Sequence, residues 1–269
     1  AYLEKNGFEV TYLDPNQKGL LDLEQLENAI RADTILVSVM QVNNETGVIQ
    51  DIASIGESLK GRGIIFHVDA AQSIGPLKLN LDALPVDLMS FSAHKAYGPK
   101  GIGALYICQK PRIRIAPQSF GGDHESGLRA GTLPTHQIVG MGAAFELADT
   151  LRAEEQARIL KLRTDFLEAI SGLSHVSVNG CLEKRIAGNV NLCFKGIENT
   201  ELLMRFHTLA LSTASACASS RDTGSHVLRA LGLSVADAQS SLRFSFGRFT
   251  TEADIEQLIA CVLKNANLT

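Results

Sequence analysis

The sequence predicts an α/β fold in which a mostly parallel sheet forms a large domain and a smaller α+β domain follows it. Short apolar runs at residues 34–40, 64–68 and 86–91 alternate with helical stretches, which is the rhythm of βαβ units. These runs are apolar throughout, as in strands that are covered on both faces. The 269 residues, of which 45% are hydrophobic and 20% charged, suffice for a sizeable core.

The charge balance and the cysteine spacing exclude several classes of protein. Lys and Arg total 25 against 29 Asp and Glu, without a basic run, so nucleic acid is not an expected partner. The apolar runs are too short to span a membrane and no cleavable signal opens the chain. We therefore expect a soluble protein of the cytoplasm or of an organelle matrix. Five cysteines without a CxxC pair disfavour a disulfide framework or a zinc site.

The first half of the chain is predicted to alternate strands with helices. Asp22 and Asp51 stand where helix N-caps are expected, and Gly61 with Gly63 ends the second of these helices. The predicted elements are a helix end at 1–6 terminated by Gly7, a strand at 8–13, a helix at 22–31, the strand at 34–40, a helix that begins after Asp51, and strands at 64–68, 86–91 and 101–107.

The second half begins with one long helical region over residues 137–170, and we place the domain boundary within it. The large domain is then 1–153 and the small C-terminal domain is 154–269. The predicted elements of the small domain are a strand at 189–194, an amphipathic segment at 200–209, a small-residue loop at 212–220, a helix at 225–230, a strand at 241–246, and a last helix whose capping box joins Thr251 to Asp254.

Polar clusters follow three of the predicted strands, at residues 43–45, 69–72 and 92–95. In open α/β sheets, ligands bind beyond the carboxyl ends of the strands. Asp69 followed by Gln72 could also simply cap the next helix. Because the third cluster contains a lysine, we favour a role in a ligand site over helix capping for Asp69 and Gln72.

Lys95 is predicted to be a buried lysine beside a histidine and a serine, which can form a Schiff base with a carbonyl cofactor. Asp69 would keep the pyridine nitrogen of such a cofactor protonated. Gln72 and Asn44 could donate hydrogen bonds to its phenolate oxygen. Two further residues, which could hold its phosphate, are Ser92 and His94.

Five segments together resemble a known family over almost the whole chain. They are VNNETGVIQDI, HVDAAQSIG, DLMSFSAHKAYGPKGIGALY, RAGTLPTHQIVGMG and SSLRFSFGRFTTEADI. The chain resembles the pyridoxal-phosphate-dependent cysteine desulfurases that serve iron–sulfur cluster assembly, within the class V aminotransferase superfamily. The run from Ser92 to Lys95 with GPKG downstream is the most specific part of the match. The resemblance implies the fold type I of pyridoxal-phosphate-dependent transferases.

The resemblance assigns each site residue a role. Lys95 corresponds to the Schiff-base lysine, and Thr132 to the threonine that reaches the phosphate of the neighbouring subunit, which implies a homodimer with shared active sites. Arg243, with Asn44, corresponds to the residues that bind the substrate, although an arginine in a strand can also belong to a structural ion pair. The other cofactor contacts are Asn44, Asp69, Gln72, Ser92 and His94.

Cys217 corresponds to the family nucleophile, and its loop of small polar residues suits a thiol that must enter a site and leave it. A lone cysteine is otherwise more often a small buried hydrophobe, which is how we interpret the other four. The implied reaction converts L-cysteine to L-alanine and leaves a persulfide on Cys217 for an iron–sulfur scaffold or another sulfur acceptor. A selenocysteine lyase, another class V enzyme and a catalytically impaired sulfur carrier are the alternatives.

The sequence departs from the family pattern in three ways. Ala93 and Ala214 stand where the family usually has glycine. An N-terminal portion on the order of a hundred residues, with a phosphate-binding loop and a histidine that stacks on the cofactor, is not in this sequence. The family's C-terminal docking tail is also not in it. We therefore expect the chain by itself to retain cofactor weakly and to turn over little substrate.

Overall fold

A computed structural model describes residues 2–110, 113–213 and 224–266 of the chain. The chain forms two compact units, each with its own four-stranded sheet. The parallel-sheet unit comprises residues 34–41 and 51–153, and the antiparallel-sheet unit comprises 1–33, 42–50 and 154–269. The units interleave along the sequence, whereas the predicted domains 1–153 and 154–269 are contiguous, so that domain assignment stays a prediction.

The sheet of the parallel-sheet unit has the order β1-β2-β3-β4. Its strands are β1 (Leu36–Met40), β2 (Ile65–Asp69), β3 (Leu88–Ser92) and β4 (Gly103–Ile107). The first three strands are parallel, and β4 pairs antiparallel with β3. The mostly parallel sheet is confirmed. β4 reverses direction because residues 93–102, which connect it to β3, are fewer than the roughly dozen residues that a parallel crossover needs.

Helices cover one face of this sheet. Helix α3 (Ile52–Leu59) begins at its cap Asp51, whose side chain accepts a hydrogen bond from the Ser54 amide, and it packs against β2. Helix α4 (Thr135–Ala169) confirms the long predicted helix, and its Phe145 ring meets Phe91 edge-on at 6.3 Å. The strand residues buried on this face include Phe66, Val68 and Met89.

The opposite face of the sheet is more open in the described part of the chain. Leu36 and Met40 of β1 and Leu105 of β4 are exposed. The prediction that the strands are buried on both faces is therefore wrong for β1. Residues of β1 alternate between exposed and half-buried, and the exposed ones include Leu36 and Met40.

The antiparallel-sheet unit is built on β5 (Val176–Val178), β6 (Asn189–Phe194), β7 (Ser212–Thr213) and β8 (Ser241–Ser245), in the order β5-β6-β8-β7. Its core contains Phe166, Phe194, Phe206 and Phe244, and the rings of Phe166 and Phe244 lie 5.4 Å apart. The helices of this unit are α1 (Tyr2–Lys5), α2 (Leu23–Ala29), α5 (Asn199–Arg205), α6 (His226–Ala230), α7 (Val235–Gln239) and α8 (Glu252–Asn265), besides the second half of α4.

Most predicted elements are present, and the differences concern short ones. The caps Asp22, Thr251 and Asp254 act as predicted. The predicted strand at 8–13 is wrong, because these mostly exposed residues pair with no strand in the described ranges. Three short strands and helices were missed, β5 of three residues, β7 of two residues within the predicted loop at 212–220, and α7 of five, since none is long enough to show a period. No helix within the described ranges is long and apolar enough to cross a membrane.

A tight turn after β3 depends on glycine at position 98. Residues Ala93–Ala96 form one 3₁₀ turn, Tyr97 follows with the left-handed φ of 63°, and the Gly98 amide donates to the Ala93 carbonyl at 3.0 Å. A Cβ atom at Gly98 would lie 2.9 Å from that carbonyl oxygen and 3.1 Å from the Ala93 Cβ. The buried methyl group of Ala93 thus has room only because residue 98 has no side chain.

We expect Gly98→Ala to lower the free energy of unfolding by about 1–3 kcal/mol, because the added methyl group overpacks the turn. Gly142→Ala is the matched control: Gly142 is an exposed residue of α4 with nothing within 4 Å of its would-be Cβ. That variant should gain about 0.5–1 kcal/mol from helix propensity. Denaturant titration measures both, and equal effects of the two substitutions would contradict the prediction.

Candidate functional site

The ends of β2 and β3 bring the predicted cofactor residues of the parallel-sheet unit to one edge of the sheet. Asp69 is the last residue of β2 and lies opposite Ser90 of β3, and Ser92 ends β3 on the same face. The Asp69 carboxylate accepts a hydrogen bond from the Ala71 amide at 2.9 Å, which fixes its orientation. Gln72 follows in the same turn and is half-buried.

The 3₁₀ turn after β3 carries the other three residues of this set. The Ser92 hydroxyl and His94 Nδ1 lie 2.9 Å apart in a hydrogen bond. Lys95 is exposed, so the prediction that it is buried is wrong for this chain. The turn projects beyond the end of the sheet, where no strand of its unit covers it. The predicted set therefore lies on two consecutive strand ends, with its amine accessible.

Thr132 does not belong to either strand end or to the turn after β3. It is exposed in the loop that precedes α4, where the Ala130 amide donates to the Ser119 hydroxyl at 3.1 Å. Its predicted contact with a neighbouring subunit stays a prediction. Cys217 lies outside the described residues, as does Ala214.

Asn44 and Arg243 meet in the antiparallel-sheet unit. Arg243 is a residue of β8, and its Nη1 donates a hydrogen bond to the main-chain oxygen of Asn44 at 2.9 Å. Its Nε is buried and has no hydrogen-bond partner within the described ranges. No salt bridge involves Arg243 among the residues that the structure describes. The guanidinium is thus oriented by a neutral oxygen.

Asn44 belongs to a turn that its neighbour Asn43 organises. Asn43 Oδ1 accepts hydrogen bonds from the Glu45 amide, the Thr46 amide and the Thr46 hydroxyl, at 2.9–3.1 Å. The Gly47 amide closes the turn onto the Asn43 carbonyl at 2.8 Å. A Cβ atom at Gly47 would lie 2.9 Å from that of Asn189 in β6, so the turn packs closely on its sheet.

Glu45 belongs to the predicted polar cluster at residues 43–45, but the sequence assigned it no role. Its side chain is only 6% exposed and accepts a hydrogen bond from the hydroxyl of Ser225, the cap of α6. Burial raises the pKa of Glu45, while the Ser225 hydrogen bond and the positive charges of His226 and Arg243 act in the opposite direction. The signal in the sequence was a carboxylate directly after Asn44, but residue order alone gave no partner for it.

His67 was missed at the sequence level. It lies two residues before Asp69 on the same face of β2, and its Nδ1 lies 2.8 Å from the hydroxyl of Ser38 on β1. Burial lowers the pKa of His67, and the negative charge of Asp69 opposes that shift. The two-residue spacing could have indicated His67, because alternate residues of a strand share a face.

Comparison with known proteins identifies the family. Residues 1–258 match the family described as aminotransferase class-V. The cysteine desulfurase IscS of Tolumonas auensis is 55% identical over 261 residues, which are 97% of this chain and 65% of the relative. The chain thus spans about 65% of the length of the curated relatives that it matches.

Solved structures resemble the chain over nearly its whole length. A NifS-like protein superposes with a TM-score of 0.87 at 32% identity, covering 98% of this chain and 69% of that one. SspA, solved in complex with cysteine, gives a TM-score of 0.77 at 37% identity, covering 93% of this chain and 70% of that one.

The lowered pKa of His67 predicts a pH dependence of stability. Below the ordinary histidine pKa of 6.5, the unfolded state binds a proton at this residue more readily than the folded state does. Stability should therefore fall as the pH drops through 6.5, and His67→Gln should show a shallower fall between pH 7.5 and 5.5. Denaturant titrations at both pH values test this, with the exposed His207→Gln as control. An unchanged slope for His67→Gln would count against it.

Proposed function

Because the chain belongs to the class-V aminotransferase family, we propose that its protein is a pyridoxal-phosphate-dependent cysteine desulfurase. It converts L-cysteine to L-alanine and transfers the sulfur to Cys217. The observation that carries this proposal is the donor set at the ends of β2 and β3, where Asp69 lies beside the turn of Lys95. The cysteine desulfurases among the relatives support the same reaction.

The donor set fits pyridoxal phosphate group by group. Asp69 is a carboxylate, which suits a protonated ring nitrogen, and Gln72 is an amide, which suits the ring oxygen. The primary amine of Lys95 suits the aldehyde. The hydroxyl and imidazole donors for the phosphate are Ser92 and His94, already joined to each other.

Bound pyridoxal phosphate supplies an electron sink next to the substrate α-carbon. Asp69 keeps a proton on the ring nitrogen, and the Lys95 amine takes the proton from the α-carbon. Arg243 binds the substrate carboxylate through charge-assisted hydrogen bonds, with its plane oriented by the Asn44 carbonyl. Asn44 and Gln72 each offer an amide donor to the ring oxygen.

The sulfur transfer balances without an external oxidant. The Cys217 thiolate attacks the substrate sulfur, so one S–S bond forms and the C–S bond breaks. One of the two thiol protons ends on the new methyl group of alanine, and the other remains with the persulfide. Thiolate is the attacking form because a thiol is a poor nucleophile.

The same proposal covers partners and compartment. A persulfide needs a thiol acceptor, so we propose sulfur-acceptor proteins, among them an iron–sulfur scaffold, as partners. Thr132 completes the phosphate site of a second copy, which makes the protein a homodimer with shared active sites. We assign it to the cytoplasm, where glutathione and thioredoxin keep Cys217 reduced between turnovers.

The purified protein with added pyridoxal phosphate should develop a visible absorption band that borohydride abolishes, with the cofactor mass then found on Lys95. L-cysteine should yield alanine in the wild type, and Cys217→Ser should lose this activity while it keeps the band. Cys261→Ser, at a half-buried cysteine, is the matched control and should retain both. Alanine formation by Cys217→Ser would refute the assigned nucleophile, and selenide release by that variant from selenocysteine would favour a selenocysteine lyase.

Arg243→Lys should raise the KM for L-cysteine about 10-fold to 100-fold, because a lysine cannot offer two parallel N–H groups to a carboxylate. Steady-state kinetics of alanine formation measure the change. The exposed Arg229→Lys serves as control and should leave KM unaltered. A KM within threefold of wild type for Arg243→Lys would contradict the carboxylate role.

A further inference from the structure

The Asn44–Glu45 peptide is held from three elements of the antiparallel-sheet unit. Arg243 of β8 donates to the Asn44 carbonyl at 2.9 Å, and Asn191 Nδ2 of β6 donates to the Glu45 carbonyl at 3.3 Å. The third contact is the Glu45 side chain, which accepts from the Ser225 hydroxyl at the start of α6. Two consecutive carbonyls and one carboxylate therefore fix this peptide.

The donors on the two strands are themselves in fixed positions. Asn191 and Arg243 lie directly opposite each other in the pairing of β6 with β8. Asn191 is fully buried, and its Oδ1 accepts from Asn179 Nδ2 at 2.7 Å. A movement of the Asn44–Glu45 peptide would therefore break contacts with groups that cannot follow it.

In the Ser225 contact the hydroxyl donates and Glu45 accepts. The Ser225 hydroxyl accepts a hydrogen bond from the Leu228 amide at 3.2 Å as the cap of α6, and its single proton is given to Glu45. Glu45 is thus the acceptor, and a side chain with a carbonyl oxygen at the same position can take its place. A side chain without one leaves a buried hydroxyl unpaired.

The Glu45 carboxylate influences Arg243 by its charge but does not accept hydrogen bonds from the Arg243 guanidinium. The positive charge of Arg243 lowers the pKa of Glu45, but the two groups form no salt bridge among the described residues. The Glu45 carboxylate instead accepts a hydrogen bond from the Ser225 hydroxyl. The positive charge of Arg243 is thereby supported, while its N–H groups are not consumed by an internal carboxylate.

We propose that Glu45 is a positioning residue for Arg243. Through Ser225 it holds the Asn44 carbonyl in the place where that oxygen orients the guanidinium toward an amino-acid carboxylate. The inference rests on the proposed function in one respect, the assignment of Arg243 to the substrate carboxylate. It goes further in naming the group that sets the orientation of Arg243.

The test uses L-alanine, the product, as a carboxylate probe that binds without turnover in the cofactor-loaded protein. Glu45→Ala should weaken L-alanine binding about tenfold, and Glu45→Gln, which keeps the acceptor oxygen, should stay within threefold of wild type. Ser225→Ala should weaken L-alanine binding about as much as Glu45→Ala does. Ser225→Thr, which keeps the hydroxyl group, should bind L-alanine about as well as wild type. In an Arg243→Lys background, Glu45→Ala should have little further effect, since its action passes through Arg243.

Additive effects of Glu45→Ala and Arg243→Lys would overturn the proposal, as would unchanged L-alanine affinity in both Glu45→Ala and Ser225→Ala. Hydrogen exchange at residues 43–48 provides a readout that needs no ligand: exchange should speed up in Glu45→Ala and not in Glu45→Gln. Unaltered exchange in Glu45→Ala would also overturn it. If wild type neither binds L-alanine nor forms it, the proposed function fails, and the exchange data still show whether Glu45 holds the peptide.

Discussion

The parallel pairing of β2 with β3 is the constraint on which the arrangement of the predicted cofactor residues depends. Parallel neighbours end at the same edge of a sheet, so the carboxylate of Asp69 and the turn after Ser92 are brought together by main-chain hydrogen bonds rather than by side-chain contacts. The register matters as much as the direction. A shift of one residue would turn Asp69 to the helix-covered face.

The antiparallel-sheet unit contains buried polar groups, and their burial costs desolvation free energy. Arg185 donates from Nε to the Cys181 carbonyl at 2.9 Å and from Nη2 to the Asn179 carbonyl, while burial, together with the nearby Arg163, lowers the pKa of Arg185 to about 10. Arg163 itself donates to the Ile186 carbonyl at 2.8 Å. Both guanidinium groups serve main-chain oxygens of the connection between β5 and β6. These hydrogen bonds, like those of Glu45, fix the geometry of the unit. Burying the charged groups costs free energy of desolvation.

The sequence sufficed for those features that have a local or periodic signal. The caps at Asp22, Asp51 and Thr251, the long α4 and the apolar strands all have one. The strand at 8–13 was wrong because a strand is stabilised by its partner, and propensity carries no information about pairing. The burial of Lys95 was wrong for a similar reason, since exposure depends on what packs over a turn.

The site residues also divide into those whose position the sequence could predict and those whose position it could not. Asp69, Ser92 and Lys95 follow apolar strands, so their place at a sheet edge could be predicted from topology. Glu45 and Ser225 are 180 positions apart in the sequence, and no pattern in either segment indicates the other. Buried hydrogen bonds between distant segments are set by the packed fold, which is why the positioning contact emerged only in three dimensions.

Tyr97 shows that the lysine is held by the intact fold and not by its own segment. A side chain at a φ of 63° is disfavoured for a residue of this kind by roughly 1 kcal/mol or more. An isolated peptide spanning β3 and the following turn would relax to another conformation. Local opening of this end of the sheet would therefore disperse the amine, the imidazole and the hydroxyl together. The arrangement of these predicted site residues therefore depends on the stability of the sheet that supports them.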